Sequence, residues 1–233
     1  MPQLLGWSYA GLDDELRKSF EVALHFGTAA ALLIALRREV AEVAHDLSAR
    51  RVVRHVLEIV PPAVAAKLWE RPIEQRCGTA RGIALAQVAG GAALALADRR
   101  PALRVHGDAG AADALAIGFG QAAALVPGVS RNGATLTAAR LRRFERRSAN
   151  RLSRHAALPI IVAATGLKGA RLAQRGLPAD LRAPFAVGAL AAFGSTLLSA
   201  PLVRVIDDAP SYAPFAGYRV ALGAAALLRL RTT

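Results

Sequence analysis

The sequence is poor in cysteine, in aromatic residues and in acidic residues. It has one cysteine, Cys77, in 233 residues, so a disulfide bond within the chain is excluded. Aromatic residues make up 5%, which argues against the stacking platforms of nucleic-acid-binding modules. There are 17 Asp and Glu residues against 30 Lys and Arg, a formal net charge of +13. Such an excess of basic charge is typical of proteins that meet a polyanion or an anionic membrane surface.

The positions of the basic residues separate these two interpretations. Basic pairs stand between apolar runs, at Arg37-Arg38, Arg50-Arg51, Arg99-Arg100 and Arg142-Arg143, whereas a nucleic-acid-binding module gathers its charge on one face. Hydrophobic residues make up 54% and the mean hydropathy is +0.31, both high for a soluble domain. The pattern therefore predicts a membrane protein whose basic segments meet anionic headgroups, and no nucleic-acid partner.

Uncharged runs are short in most of the chain. Ala183–Val203, with 21 residues, alone reaches the roughly 20 residues that a membrane-spanning helix needs. Three shorter runs are flanked by Lys or Arg, whose long stems can extend the usable span. They are Val22–Leu36, Ile83–Ala97 and His155–Leu167. The alternative is that these three are buried helices of a soluble protein.

Strand patterns are weak, because period-two alternation and β-branched residues are sparse. We therefore predict an all-α protein, a polytopic membrane helix bundle of seven or eight helical elements in a single integral membrane domain over residues 1–233. Two apolar regions are interrupted, Ile59–Ala66 by Pro61-Pro62 and Ala109–Ser130 by its closing Pro127-Gly128. Because proline and glycine stop helices, these regions are predicted to form re-entrant half-helices.

The stretch Pro127–Thr135 combines the parts of a phosphate-binding turn. Gly128 and Gly133 allow backbone N–H groups to approach an anion closely, and the helix that follows presents its positive end. Arg131 offers a planar fork that matches phosphate oxygens. Side-chain donors and helix caps come from Ser130, Asn132 and Thr135. The alternative is a plain turn between two helices, with Arg131 facing solvent.

The same stretch, Pro127-Gly128-Val129-Ser130-Arg131-Asn132-Gly133-Ala134-Thr135, resembles the PGxSRSGAT signature of the undecaprenyl-diphosphate phosphatases, the bacitracin-resistance family. The one departure is Asn132, where the family usually has serine. Four further stretches are similar to other family motifs, so the resemblance covers nearly all of the chain. They are Phe20–Thr28, Asp113–Gln121, Ala156–Pro159 and Phe215–Gly223.

The resemblance implies a multi-pass protein of the inner (plasma) membrane that hydrolyses undecaprenyl diphosphate to the monophosphate, recycling the lipid carrier of cell-wall synthesis. It further implies a divalent cation, Mg²⁺ or Ca²⁺, as cofactor, and a homo-oligomer is compatible with it. Arg131, Ser130 and Glu21 are the expected catalytic residues, with Arg131 stabilising the charge on the phosphoryl oxygens. The expected substrate-binding residues are Asn132, Gly133, Thr135, Gln121 and Gly128.

Two family motifs have no counterpart in this sequence. The family begins with an E-x-x-x-E pair and a P-[VI]-S-S-T-G-H loop, and nothing here matches either. We therefore expect the chain to lack the N-terminal catalytic segment of the family, and as it stands to bind prenyl diphosphate weakly and hydrolyse it hardly at all. The alternative function is that of a non-catalytic membrane protein that binds or flips prenyl (di)phosphate.

Several ionisable residues leave two interpretations open. Glu21 either lines the cavity or helps to hold a cation, or else it is a first-turn acid of its helix. His25 follows one turn later, either as half of a metal site or as an interior histidine. Asp113 is expected to pair with Arg131 or another buried arginine, or else to lie at the membrane interface. Arg219 contacts substrate or pairs internally, of which we favour pairing.

Seven arginines crowd the stretch from Arg140 to Arg154. We predict a solvated loop and helix edge there, at the anionic surface of the membrane. Cys77 has no partner in the sequence and receives no role.

Overall fold

The computed structural model describes residues 14–45, 48–175 and 179–232. Within these ranges the regular structure is helical, and an isolated bridge between Arg104 and Phe144 is the one β-type pairing. The all-α prediction is therefore confirmed. The described helices are α1 (Asp14–Ala35), α2 (Arg37–His45), α3 (Ala49–Cys77), α4 (Ala80–Asp98), α5 (Ala111–Ala123), α6 (Arg131–Leu141), α7 (Arg146–Arg175), α8 (Ala179–Ser199), α9 (Leu202–Asp207) and α10 (Ala213–Thr232).

The chain divides into two compact units. One comprises Met1–Glu42 and Leu158–Val203, and the other comprises Val43–Ala157 and Arg204–Thr233. Helix α7 begins in the second unit and continues into the first. The prediction of a single domain over the whole chain stays a prediction.

Helices α1 and α8 form the body of the first unit. Phe20 of α1 and Phe185 of α8 meet edge to face, with their ring centroids 5.3 Å apart, a favourable aromatic geometry. Ala23 completes this small core. Small side chains let the two helices approach closely, as membrane helices do.

Two described helices are long and apolar enough to cross a membrane. They are α4, over Ala80–Asp98, and the Leu181–Ser199 part of α8. A third candidate is the α1–α2 pair, which bends by 79° between its two parts. Two or three candidate spans in the described part of the chain agree with the prediction of a membrane helix bundle, and the bent pair with that of re-entrant elements.

Helix α3 corrects the prediction that Pro61-Pro62 would divide its region. It runs without interruption through both prolines. A proline has no N–H for the carbonyl four residues earlier, so the carbonyls of Leu57 and Glu58 lose their usual helical partners. The prediction was wrong because a neighbouring helix can supply a hydrogen-bond donor to a carbonyl that a proline leaves open.

Helix α5 supplies the missing contacts. The side-chain Nε2 of Gln121 donates to the Glu58 carbonyl over 3.0 Å. Gly118 brings the α5 backbone so near that a Cβ at this position would lie 2.6 Å from the Leu57 carbonyl oxygen. The proline pair thus marks a seam where α3 and α5 pack backbone to backbone, and a neighbouring amide satisfies a freed carbonyl.

A buried ion-pair network joins four helix ends in the second unit. The Asp98 carboxylate, at the end of α4, accepts from Arg146 Nε at 2.8 Å and from the Tyr212 backbone N–H at 2.9 Å. Arg140, which is 2% exposed, donates to that carboxylate at 3.2 Å and to the Phe144 carbonyl. The network therefore fixes the ends of α4 and α6 against the starts of α7 and α10.

The arginine-rich stretch is more ordered than predicted. Helices α6 and α7 cover most of it, where a solvated loop and helix edge were predicted, because arginine is a good helix former and acidic partners lie on other elements. The sequence did not predict these partners, because most of them are far from the arginines along the chain. The pairs are Arg142–Asp113 at 2.6 Å, Arg154–Asp207 at 2.7 Å and Arg147–Asp208 at 3.3 Å.

Candidate functional site

The signature stretch forms a helix–loop–helix in the second unit. Helix α5 has 13 residues and α6 has 11, about 20 and 16 Å long, so each falls short of a hydrocarbon core of about 30 Å. The prediction of two half-length helices on either side of the loop is confirmed. That the loop lies at membrane depth stays a prediction.

Gly128 fixes the path of the loop against α4. Its φ is +96°, in the region that favours glycine. A Cβ here would lie 2.4 Å from the Ile83 carbonyl oxygen, closer than any real contact. Gly128 is thus required for the shape of the loop. This requirement is independent of the predicted one, in which glycine lets a phosphate approach the backbone.

We expect Gly128→Ala to lower the free energy of unfolding by about 2 kcal/mol or more, because left-handed strain and a backbone clash add together. Thermal unfolding in detergent measures this loss. The control is Gly217→Ala in α10, where a Cβ meets nothing within 4 Å and alanine is the better helix former. Equal melting temperatures for the two variants would contradict the assigned role of Gly128.

Ser130 caps helix α6 and leaves two backbone donors open. Its Oγ accepts from the Gly133 N–H at 3.2 Å, and its carbonyl accepts from the Ala134 N–H at 2.9 Å. The N–H groups of Arg131 and Asn132, the first two of the helix, have no partner among the described residues. Two unpaired N–H groups at the positive end of a helix are an anion-binding arrangement. Because Ser130 uses a lone pair on the cap, its O–H stays available to donate.

Two arginines near this helix start lack an acidic partner. Arg131 is exposed, and no carboxylate in the described part of the chain pairs with it. Arg219 of α10 is half-buried and donates through Nη2 to the Gly128 carbonyl at 2.9 Å, while its buried Nε finds no acceptor among the described residues. The favoured internal pairing of Arg219 therefore exists, but with a backbone carbonyl, so its positive charge is not neutralised.

Three polar side chains form a cluster behind the signature, two of them buried and one exposed. Ser153 Oγ, on α7, donates to Asn132 Oδ1 over 2.8 Å and lies 2.6 Å from Thr135 Oγ1. Thr135 is 2% exposed and Ser153 is 5% exposed, whereas Asn132 is exposed. The sequence did not point to Ser153, since nothing in its local context distinguishes it from Ser148 on the same helix.

Asp113 pairs with arginines other than Arg131. Arg104 donates to both carboxylate oxygens, at 2.8 and 2.7 Å, and Arg142 donates at 2.6 Å. Burial alone raises the pKa of the Asp113 carboxyl, but hydrogen bonds from Arg104, from the Gly110 N–H and from Arg142 outweigh it and lower the pKa to about 2. Asp113 therefore fixes the start of α5 to the end of α6.

The remaining predicted residues have separate surroundings. Gln121 is buried, and its Nε2 is used on the α3 carbonyl; its substrate-binding role stays a prediction. Glu21 and His25 belong to the first unit, where His25 Nδ1 lies 2.7 Å from the Glu21 backbone oxygen. The catalytic role of Glu21 likewise stays a prediction. Across residues 14–45, 48–175 and 179–232, no three His, Cys, Asp or Glu side chains are grouped to hold a metal ion.

An apolar groove of about 670 Å³ adjoins the signature loop. Helices α4, α5 and α6 form its walls, and Ser130 and Arg219 lie at its lining. Most of the lining is small or apolar, including Ala93, Ala116, Phe119, Ala134, Ala138 and Leu141. The unit thus places an apolar surface directly beside an uncompensated positive charge.

Comparison with known proteins agrees with the signature. The sequence model of the family described as bacitracin resistance protein BacA matches residues 1–225. The undecaprenyl-diphosphatase of Geobacter sulfurreducens is 38% identical over 99% of this chain and 88% of its own length. Those of Geobacter metallireducens and Trichlorobacter lovleyi are 35% and 36% identical, over 98% and 96% of this chain and 87% and 85% of their own lengths.

These matches cover nearly the whole chain, with the signature inside the matched region. The expectation that an N-terminal catalytic segment is missing stays a prediction. The extent and identity of the matches, together with the helix–loop–helix that carries the signature, establish that this chain belongs to the BacA bacitracin-resistance family, which includes undecaprenyl-diphosphatases.

Proposed function

We propose that this chain hydrolyses undecaprenyl diphosphate to undecaprenyl phosphate and inorganic phosphate. The observation that carries the proposal is the uneven neutralisation of arginine in the second unit. At one end, Arg140 and Arg146 pair with Asp98, and Arg104 and Arg142 pair with Asp113. At the start of α6, in contrast, Arg131 and Arg219 have no carboxylate among the described residues. A diphosphate is the anion that such a pair of cations suits.

In the reaction, a water oxygen attacks the terminal phosphorus, and the bond between that phosphorus and the bridging oxygen breaks. The lipid monophosphate leaves with the bridging oxygen. Phosphoryl transfer depends mainly on alignment and on stabilising charge at the phosphoryl oxygens. The N–H groups of Arg131 and Asn132, the Ser130 O–H and the Arg131 guanidinium are the donors that provide both.

A divalent cation would add positive charge at the phosphoryl oxygens when bound. The described residues do not assemble a cluster that fits it, so we derive no step through it. The proposed catalytic role of Glu21 rests on the family resemblance alone, and we assign it no contact with a cation.

The surroundings of the loop favour a lipid substrate in a plasma membrane. Gly128 packs against Ile83, which lies three residues, about 5 Å, from the Ala80 end of the candidate span α4. A headgroup of a membrane lipid lies at such a level. The apolar groove beside the loop suits the prenyl chain next to the diphosphate.

The proposal is tested by phosphate release from undecaprenyl diphosphate in detergent, with Ala93→Phe as the informative variant. Ala93 lines the groove and its neighbour Ala92 does not, although both are exposed on α4. Filling the groove is expected to raise KM about tenfold, because a misfit of roughly 1.4 kcal/mol in binding corresponds to that factor.

Ala92→Phe is the matched control and should keep the KM of the unsubstituted chain. An unchanged KM in Ala93→Phe would show that the prenyl chain does not bind in the groove. Substrate binding without any phosphate release by the unsubstituted chain would contradict the proposed activity and would favour the non-catalytic alternative.

A further inference from the structure

Asn132 raises a question of orientation that the serine usual in this family does not. A serine hydroxyl rotates to donate or accept as its surroundings require, whereas an asparagine amide carries oxygen on one side and NH₂ on the other. Beside a phosphate, the NH₂ contributes two donors, but the oxygen repels. An asparagine in an anion-binding turn therefore needs a partner that fixes which side faces the anion.

The structure contains such a partner. Ser153 Oγ donates to Asn132 Oδ1 over 2.8 Å, and a hydroxyl has one proton to donate. The hydroxyl of Thr135 lies 2.6 Å from Ser153 Oγ and 3.0 Å from the carbonyl oxygens of Arg131 and Asn132. With the Ser153 proton on Asn132, two lone pairs would face each other at 2.6 Å unless Thr135 donates to Ser153, so its one proton goes to this nearest acceptor. The direction of the chain of hydrogen bonds is thus from Thr135 to Ser153 to Asn132.

Burial makes these hydrogen bonds favour one orientation of the Asn132 amide. Ser153 and Thr135 are 5% and 2% exposed, so water does not compete for them, and an unpaired oxygen there is costly. Asn132 itself is exposed, and with its oxygen bonded to Ser153 the amide has its NH₂ left to donate to a ligand. These two N–H bonds join the open backbone N–H groups of Arg131 and Asn132 at the start of α6.

We propose that Ser153 is a positioning residue that turns the Asn132 amide so that its NH₂ faces the diphosphate. The inference rests on the proposed function and assigns a role to a residue of α7 outside the signature. Ser153 itself touches neither the substrate nor the reacting atoms; it acts through Asn132.

A double-mutant cycle tests the role. Ser153→Ala is expected to lower kcat/KM for phosphate release about tenfold when Asn132 is present, because the amide loses its fixed orientation. In the Asn132→Ala background the same replacement is expected to change kcat/KM less than about twofold, since no amide remains to orient. Ser153→Thr keeps the hydroxyl and should restore most of the activity.

The matched control is Ser148→Ala. Ser148 lies on the same helix and is also 5% exposed, but its Oγ bonds to Glu145 and to the His106 N–H instead of the signature. It should cost stability like Ser153→Ala while leaving kcat/KM within about twofold. Equal losses for Ser153→Ala in both backgrounds, with an active unsubstituted chain, would show a purely structural role and overturn the proposal.

A second readout makes the cycle independent of turnover. The four proteins of the cycle are the unsubstituted chain, Ser153→Ala, Asn132→Ala and the double variant. Each is titrated with a prenyl diphosphate analogue in which a methylene group replaces the bridging oxygen, so that it binds without hydrolysis. Affinity should fall about tenfold on Ser153→Ala only where Asn132 is present. If the unsubstituted chain releases no phosphate but shows this coupling, the proposed hydrolysis fails and the role of Ser153 stands. Without coupling in either readout, the role of Ser153 is wrong.

Discussion

Replacing Arg131 by lysine is expected to lower kcat/KM for phosphate release from undecaprenyl diphosphate at least about tenfold, and replacing it by alanine about a hundredfold or more. Lysine keeps the charge but loses the planar fork that binds two phosphate oxygens at once. Alanine also removes the charge. The loss should be large because no acidic residue in the described part of the chain neutralises Arg131, so its positive charge remains available to the substrate.

The control for Arg131 is Arg147→Lys on α7. Arg147 is also exposed, and it pairs on the surface with Asp208 at 3.3 Å, an interaction that contributes little. Its replacement should leave kcat/KM unchanged. Full turnover by Arg131→Lys would show that the Arg131 side chain points away from the phosphoryl group, and the charge-stabilising role would pass to Arg219, which lies beside the same loop.

The sequence was sufficient where a property depends on neighbouring residues. Gly128 and the preceding proline predicted a break between two short helices, and the structure has this break, because φ +96° and the contact with Ile83 allow no side chain. Ser130 predicted a cap, and its Oγ accepts from the Gly133 N–H. Local chemistry of this kind is written in a few consecutive residues.

The sequence was insufficient where two residues that bond to each other are far apart along the chain. Pro61-Pro62 predicted a broken helix, but Gln121, about 60 positions away, satisfies the Glu58 carbonyl that Pro62 leaves open. Asp113 was expected beside Arg131 or another buried arginine, and pairs with Arg104 and Arg142. No local pattern specifies which of 30 basic residues will meet a given carboxylate.

Charge in the second unit is thus arranged along α4. At the Asp98 end, arginines and carboxylates neutralise one another and fix helix ends. About 22 Å away along the same helix, at Ile83, the loop presents N–H groups and uncompensated arginines. The Asp98 end maintains the geometry that the loop needs, because α6 starts at the loop and carries the buried Arg140 in its last turn. Weakening the Asp98 network should therefore affect folding before it affects substrate contact.

Asp98→Ala is accordingly expected to lower the free energy of unfolding by about 3 to 5 kcal/mol, since removing one partner leaves a buried charge uncompensated. Arg140 is 2% exposed and has Asp98 as its carboxylate partner, so water cannot replace the lost contact. Thermal or denaturant unfolding in detergent measures the loss. Asp208→Ala is the control, because Asp208 is 65% exposed and its pair with Arg147 lies at the surface, where such a pair contributes at most about 1 kcal/mol. If both variants lost the same stability, the network at Asp98 would not be what fixes α6 against α4.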